Sequence, residues 1–312
     1  MSSPPRIVVA GVANLCTAAT VTTTAASGTD DRREHTTAMT TGVSGVGANL
    51  ALTLNRLGTR VDLCTLIGQD PPGRAIRAGL EQEGLHGPGC VPTPSSALAL
   101  CLVDGNGSRR SATYLNDLAD ALYPTSVFTD LVQGADLAVL TTIGFTRPLI
   151  AHAHRAGVPI AVDVHVVADI DHPEQEPWLH SADVVFCSHE RLPCPPRAWI
   201  RHVFDTYPGC VVAGVGCGDR GAMVGTREGL LVTARTRPPR PLANTIGAGD
   251  ALFGSFLHGW VAAGNPAQAL HDAVLHASWL IGDLFPNHGR LDRDQLRELA
   301  RTHPVHMTVD RW

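Results

Sequence analysis

Short β-branched runs alternate with longer stretches whose apolar residues fall at helical spacing, from one end of the chain to the other, and nothing else narrows its folding options as far. A parallel neighbour strand is reached only by a crossover, so strand, helix, strand in repeated order predicts an α/β fold with a mainly parallel sheet covered by helices. Strands are expected at 7–11, 61–67, 98–103, 137–141, 158–163, 184–187 and 210–214. Helices are expected at 47–57, 75–83 and 147–156, each stopped by a glycine (Gly58, Gly84, Gly157), and in the C-terminal third at 249–263, 267–281 and 293–301.

Two stretches break this rhythm. Residues 17–41 are threonine-rich with a polar centre, and residues 96–115 read as a hairpin around Asp104-Gly105-Asn106-Gly107. Threonine favours strands, so both are expected to build a small sheet standing off the main body, with a pair of loops as the alternative. No linker divides the chain, which predicts one domain over 1–312 with lid segments at about 14–42 and 96–118.

Composition removes several function classes. The chain contains no lysine, so neither a Walker P-loop nor Schiff-base chemistry is available, and any phosphate must be met by arginine, metal or backbone N–H groups. A net charge of −5 without a basic stripe argues against nucleic acid and anionic membranes as partners. No run reaches the roughly eighteen apolar residues of a membrane span, and no leader pattern opens the sequence, so a cytoplasmic location is expected. The eight cysteines are scattered without CxxC pairs and read as reduced; Cys187-Ser188-His189 with Cys194 lacks the second ligand pair of a zinc site.

The segment Asn244-Thr-Ile-Gly-Ala-Gly-Asp250 carries the chemistry. Gly247, Ala248 and Gly249 leave successive backbone N–H groups open at the start of a helix, a natural anion site. Asp250 beside them suits a general base that takes a proton from a hydroxyl while the N–H groups stabilise a transferring phosphoryl. The bland alternative is a helix with an acidic first turn.

Together with the Ala-Leu-Phe-Gly-Ser-Phe that follows, this segment resembles the C-terminal signature of the ribokinase-like (PfkB) carbohydrate kinases, [D/N]-T-x-G-A-G-D. Ser44-Gly-Val-Gly-Ala-Asn49, with Ala51, Gly58 and Gly68, resembles their N-terminal signature. The resemblance implies a ribokinase-like three-layer α/β/α fold with a mainly parallel central sheet and a small β lid. It implies ATP-dependent phosphorylation of a hydroxyl on a sugar or sugar-like compound, with ATP and Mg2+ as cofactors. Asp250 then matches the base and Gly247, Ala248 and Gly249 the anion hole. Gly45, Gly47 and Asn49 match the substrate-side segment, where missing side chains let sugar hydroxyls approach the backbone. Asn14 and Cys16 fall where the family grips a sugar diol. Asn116 and Asp163 are further substrate-binding candidates. On the nucleotide side stand Gly214, Gly216, Asn244, Thr245 and His276, with Glu190 matching the glutamate that organises magnesium, through water. Family lids often serve as dimer interfaces, so a homodimer through the lid is a further expectation.

Three departures bear on function. Cys16 replaces the usual Asp, and a neutral thiol is a poor acceptor for a diol. Cys187 replaces the Asn of N-x-x-E. Asn244 replaces the commoner Asp, so a monovalent-cation site there loses one charge and potassium activation is open. Two alternatives stand beside the sugar kinase: a nucleoside kinase of the same fold, and a degenerate member that binds nucleotide or sugar without transfer. A Rossmann oxidoreductase is set aside because Ser44–Asn49 lacks the third glycine and a preceding buried strand.

Overall fold

The run Arg6–Ala10 (β1) buries every residue after its first, as a strand must when helices cover both faces of its sheet. Its side chains divide by the two-residue strand period: Ile7 and Val9 join one apolar core, Val8 and Ala10 another on the opposite face. The structure, a computed structural model, describes residues 4–21, 36–104, 109–169, 173–285 and 287–311.

After β1 come β2 (Asn14–Val21), β3 (Met39–Ser44), α1 (Val46–Arg56), β4 (Arg60–Gly68), α2 (Pro71–Gln82) and β5 (Cys90–Thr93). Next are β6 (Ala97–Asp104), β7 (Arg109–Tyr114), α3 (Thr125–Val132), β8 (Leu137–Leu140), α4 (Leu149–Arg155), β9 (Ile160–Val166), α5 (Glu176–Leu179), β10 (Val184–Ser188), α6 (Pro196–Thr206) and β11 (Val212–Gly216). The chain closes with β12 (Ala222–Thr226), β13 (Leu230–Arg235), α7 (Ala248–Ala263), α8 (Pro266–Leu280), α9 (Arg293–Thr302) and β14 (His306–Arg311).

The large sheet runs β14-β13-β12-β11-β10-β9-β8-β1-β4-β5. From β5 to β11 every neighbouring pair is parallel, and β11 to β14 are antiparallel. Helices α1, α7 and α8 feed one core, with Leu50, Phe253 and Leu270; α3, α4 and α6 feed the other, with Phe128, Leu149 and Trp199. This is the expected three-layer arrangement.

Both strand-prone excursions enter a second sheet, β3-β2-β6-β7, whose inner side packs Cys16, Ala18, Cys101 and Val103 on Phe285. The polar centre of the first excursion and the Gly-Asn-Gly tip of the second lie outside the described residues. Periodicity missed β5, β12, β13 and β14 and also α3 and α6. Strand β11 starts at Val212, two residues beyond the expected start, because Cys210 still belongs to the turn closed by its N–H on the Tyr207 carbonyl.

Candidate active site

In the large sheet the chain leaves β1 toward β4 and β5 on one side, while β8 to β11 build the other, so the order reverses between β1 and β8. A crevice opens at the strand ends where such a reversal occurs. A cavity of about 310 Å³ lies there, lined by Val12 and Asn14 after β1, Thr141, Thr142 and Ile143 after β8, and His165 near the end of β9. The small sheet contributes Cys16, Ala99, Ser111 and Thr113, and the starts of two helices contribute Gly45, Asn49 and Asp250.

Those two helices meet because both are buried and sparing in bulk. Residues Asp250 to Leu257 of α7 are all buried, so this helix is apolar nearly all round and sits inside the core. Phe253 and Phe256 pack on Phe186 of β10, each with ring centroids 5.0 Å apart. Gly254 faces Thr53 of α1, and the close passage of the helices sets Asn49 opposite Asp250.

Gly247 caps α7 at φ 76°, the left-handed region where a side chain is strained. The Ala248 N–H turns back to the Thr245 carbonyl and the Ala251 N–H starts the helical ladder on the Gly247 carbonyl. The N–H groups of Gly249 and Asp250 fall among the helix donors without an intrahelical partner. Gly249 is exposed and Gly247 and Ala248 are partly so, which leaves this positive end open to an anion.

Asp250 is 8% exposed, and its Oδ2 accepts from Asn49 Nδ2 at 2.7 Å. Asn49 Oδ1 in turn accepts from the Ser44 hydroxyl at 3.4 Å, which fixes which way the amide faces. Burial pushes the Asp250 carboxyl above the ordinary carboxylate range; the charge of His165, the Asn49 hydrogen bond and Arg290 oppose that rise, and Asp163 adds to it.

Of the residues singled out in the sequence, Asn14, Cys16, Gly45, Asn49 and Asp250 line the one cavity. Asn14 is 5% exposed and its Oδ1 has no hydrogen-bond partner among the described residues, so an acceptor buried in the cavity wall waits for a donor. The Cys16 thiol, buried and beside Cys101, is pushed up to about 11 and is therefore neutral at physiological pH. Glu190 lies exposed in the turn after β10, where the backbone N–H and Nδ1 of His189 both lie within 3.0 Å of the Gly216 carbonyl and join the ends of β10 and β11. Asn244 is buried, and its Oδ1 accepts the Ile246 N–H at 3.0 Å, so it shapes the turn that follows; the Thr245 carbonyl receives Ala248.

Several expectations need correction. His276 does not face a nucleotide: it is 0% exposed, its Nδ1 pairs with the Ser255 hydroxyl at 2.8 Å and its Nε2 accepts from the Leu291 N–H at 3.1 Å. Gly47 does not line the cavity; a Cβ there would lie 2.5 Å from the Gly11 carbonyl carbon, so it lets α1 pass β1. Gly214 sits under the Phe186 ring inside the sheet, a packing role, while Gly216 ends the strand beside Leu252. Asn116 opens a short 3-10 turn at φ 54°, and its neighbour Leu115 reaches the cavity instead. Asp163 stands behind His165, accepting its backbone N–H at 2.8 Å. Cys187 is sealed in the apolar core, where burial raises its thiol well above the usual range.

Two further residues belong to this region, His165, which the sequence places with Asp163 at a strand's C-terminal end, and Arg290. His165 takes φ 56° where the pairing of β9 with β10 slips by one residue, and this turns the ring to the cavity with Nδ1 3.8 Å from Asp163 Oδ2. Its place at a strand's C-terminal end was the only signal. Arg290 is a buried guanidinium bonded to Asn287 Oδ1 and to the Thr53 hydroxyl, and nothing in its local sequence marks it.

Residues 6–155 match the pfkB family of carbohydrate kinases. An ATP-dependent ribose-1-phosphate kinase from Halopiger xanaduensis is 29% identical over 238 residues, covering 73% of this chain and 77% of that protein. The solved structure of the microbiome-derived acarbose kinase Mak1 superposes with a TM-score of 0.81 at 21% identity, over 96% of this chain and 99% of the other. Ribokinase of Arabidopsis thaliana, complexed with ribose and ATP, gives 0.78 at 19% identity over 96% and 99%. Both signature segments frame one cavity at the sheet's reversal point, residues 6–155 match the pfkB carbohydrate-kinase family in sequence, and along nearly the whole chain the fold is the one seen in these kinase structures.

Proposed function

We propose that this chain transfers the γ-phosphoryl group of ATP to a hydroxyl of a sugar or sugar-like acceptor held in the cavity between the two sheets. The observation that carries the proposal is Asp250: a carboxylate on the cavity wall, gripped by Asn49 and set at a helix start whose next amides are uncommitted. Asp250 takes the hydroxyl proton as the oxygen attacks phosphorus and ADP leaves; of the expected anion hole the Ala248 N–H is already taken by the Thr245 carbonyl, so the N–H groups of Gly249 and Asp250 meet the charge on the transferring group. Its raised proton affinity suits a base more than an ordinary surface carboxylate would.

The acceptor is small. A volume of about 310 Å³ lies at the low end for ligand pockets. Asn14 Oδ1 and the hydroxyls of Ser44, Ser111, Thr113, Thr141 and Thr142 give the wall a polar character suited to a polyol. No Phe, Tyr or Trp is among the described lining residues, whose one ring is the imidazole of His165, and Tyr114 is exposed, which favours a carbohydrate over a nucleoside whose base would be sandwiched between rings. The intact Asp250 turn disfavours a binding-only protein.

Magnesium suits a site of this kind as a companion of the phosphates, since it keeps several waters and takes few protein ligands. Among the described residues no three acidic, His or Cys side chains cluster as a preformed cage. Glu190 is the carboxylate assigned to its water shell. The small sheet acts as the lid of a single kinase domain. ADP release measured over a panel of sugars, sugar phosphates and nucleosides, beside a thermal-shift test for ATP, decides the matter: ATP binding without turnover on any acceptor would leave the non-catalytic alternative standing.

A further inference from the structure

The segment that delivers the chain to Gly247 is held by a guanidinium. Arg240 Nη2 donates to the Trp279 carbonyl at 2.5 Å and to Asp283 Oδ2 at 2.6 Å, and its Nη1 donates to Asp283 Oδ1 at 3.2 Å. The Arg240 Cζ lies 4.1 Å above the centre of the Trp279 ring. Two glycines beyond α8 stand against this cation: a Cβ on Gly282 would lie 2.7 Å from Arg240 Nε, and one on Gly289 would lie 3.1 Å from Nη2. A bidentate carboxylate, a carbonyl and a ring face together make a site that fits the planar fork of arginine.

From the same segment, the Ile281 carbonyl accepts the N–H groups of Ala243 (2.8 Å) and Asn244 (3.1 Å), and the Leu284 carbonyl accepts Asn244 Nδ2 (2.8 Å). Asn244 Oδ1 takes the Ile246 N–H. The head of the motif is where the family resemblance puts a monovalent cation, and these oxygens do not fit one. Each already faces an N–H donor, the carboxylate expected at 244 is an amide, and the nearby carboxylate, Asp283, is neutralised by Arg240.

We infer that Arg240 takes the place of a monovalent cation in this chain: its fixed charge ties residues 279–284 to residues 240–246, and the catalytic turn is set without potassium or sodium. Arg240 is thus a positioning residue, acting on Gly247 to Asp250 through Asn244 and touching neither acceptor nor nucleotide. The activity arm of its test rests on the kinase function proposed above; the thermal arm does not.

The protein, exchanged into choline chloride, is titrated with KCl and NaCl at constant ionic strength while melting temperature and ADP formation are followed. Expected are melting curves that overlay in the three salts and turnover that changes by less than about twofold. A saturable rise in either, specific to potassium or sodium, overturns the inference. In parallel, Arg240→Ala should lower kcat by about tenfold or more while the acceptor KM moves far less, since the loss falls on the transition state. Millimolar guanidinium chloride should restore part of that loss, and Arg240→Lys should keep part of it. An Arg240→Ala protein with unchanged kcat, or with a loss that neither guanidinium nor lysine relieves, sinks the positioning role. If the wild-type protein turns over no acceptor, the kinase reading fails while the salt dependence of melting still decides this one.

Discussion

Asn49 and Asp250, 201 residues apart in sequence, share a 2.7 Å hydrogen bond at the wall of the cavity, amide donating to carboxylate. The bond joins the two signature segments into one site. It holds one carboxylate oxygen, and in the proposed reaction the other takes the acceptor's proton.

Asp250→Asn should therefore abolish the proton-accepting step with little change to the fold. We expect kcat to fall by about 10²- to 10⁴-fold, with ATP affinity by thermal shift nearly unchanged. The stability sign is set by the raised carboxyl: burial disfavours its ionised form, so its cost to the folded state grows as pH rises from the ordinary value of 3.8 through the raised one. At neutral pH the variant should melt no lower than the parent. A variant that folds and keeps full turnover would falsify the assignment.

The same shift predicts the pH profile. Turnover under kcat/KM conditions should fall on the acid side with an apparent pKa above the ordinary carboxylate range, because the base must be ionised to act. An acid limb that stays at 3.8 or below means that the group seen is not Asp250.

Removing the partner is a separate test. Asn49→Ala leaves a buried carboxylate without its amide, at a cost of about 1.5–3 kcal/mol, so kcat/KM should drop by roughly 10- to 100-fold at neutral pH. The acid limb should move further up, because one of the influences holding Asp250 ionised is gone. A drop in rate with an unmoved limb would assign Asn49 to acceptor binding alone.

Cys16 carries the question of acceptor choice. Its thiol is neutral, so Cys16→Asp puts a strong hydroxyl acceptor into the wall. The KM for neutral sugars with adjacent hydroxyls should fall by about tenfold or more, with a lower melting temperature from the newly buried charge. If KM is unchanged across the sugar panel, position 16 does not face the acceptor's hydroxyls.

His276 predicts an acid sensitivity unrelated to catalysis. Burial, aided by the Arg290 charge, pushes its pKa from 6.5 to about 3, so the folded state refuses a proton that the unfolded chain accepts. The stability this ring contributes is complete above about 6.5 and is lost as pH falls toward about 3. His276→Gln should lose less of its melting temperature between neutral pH and pH 5 than the parent does, with ATP affinity unaltered. Equal slopes would show that another group controls the acid side.

Most of the parallel part of the fold is legible because its strands are continuous apolar runs, as in Ile7-Val-Val and Leu137-Ala-Val-Leu; short β5, with its proline, is the exception. Strands β12 to β14 hid because short antiparallel segments such as Ala222–Thr226 and His306–Arg311 mix polar residues and glycine into the run. Helix α6 hid behind Pro195 and Pro196, although proline is at home in the first helical turn. At the site, the Asp250 turn could be read locally because a helix start is a local object. The Asn49 contact, the inward ring of His165 and the sealing of His276 depend on how distant elements pack, and no spacing encodes that.

The groups proposed to meet the acceptor and the groups proposed to perform the transfer stand on different foundations. Cys16, Ala99, Ser111 and Thr113 belong to the thin four-stranded sheet, on which large apolar side chains such as Leu98 and Tyr114 remain exposed. Asp250 and the amides beside it open a helix whose residues Asp250 to Leu257 are all buried in the main core. In the proposed reaction, then, the choice of alcohol and the handling of the phosphoryl group are separable, and substitutions in the outer sheet should shift the first while sparing the second.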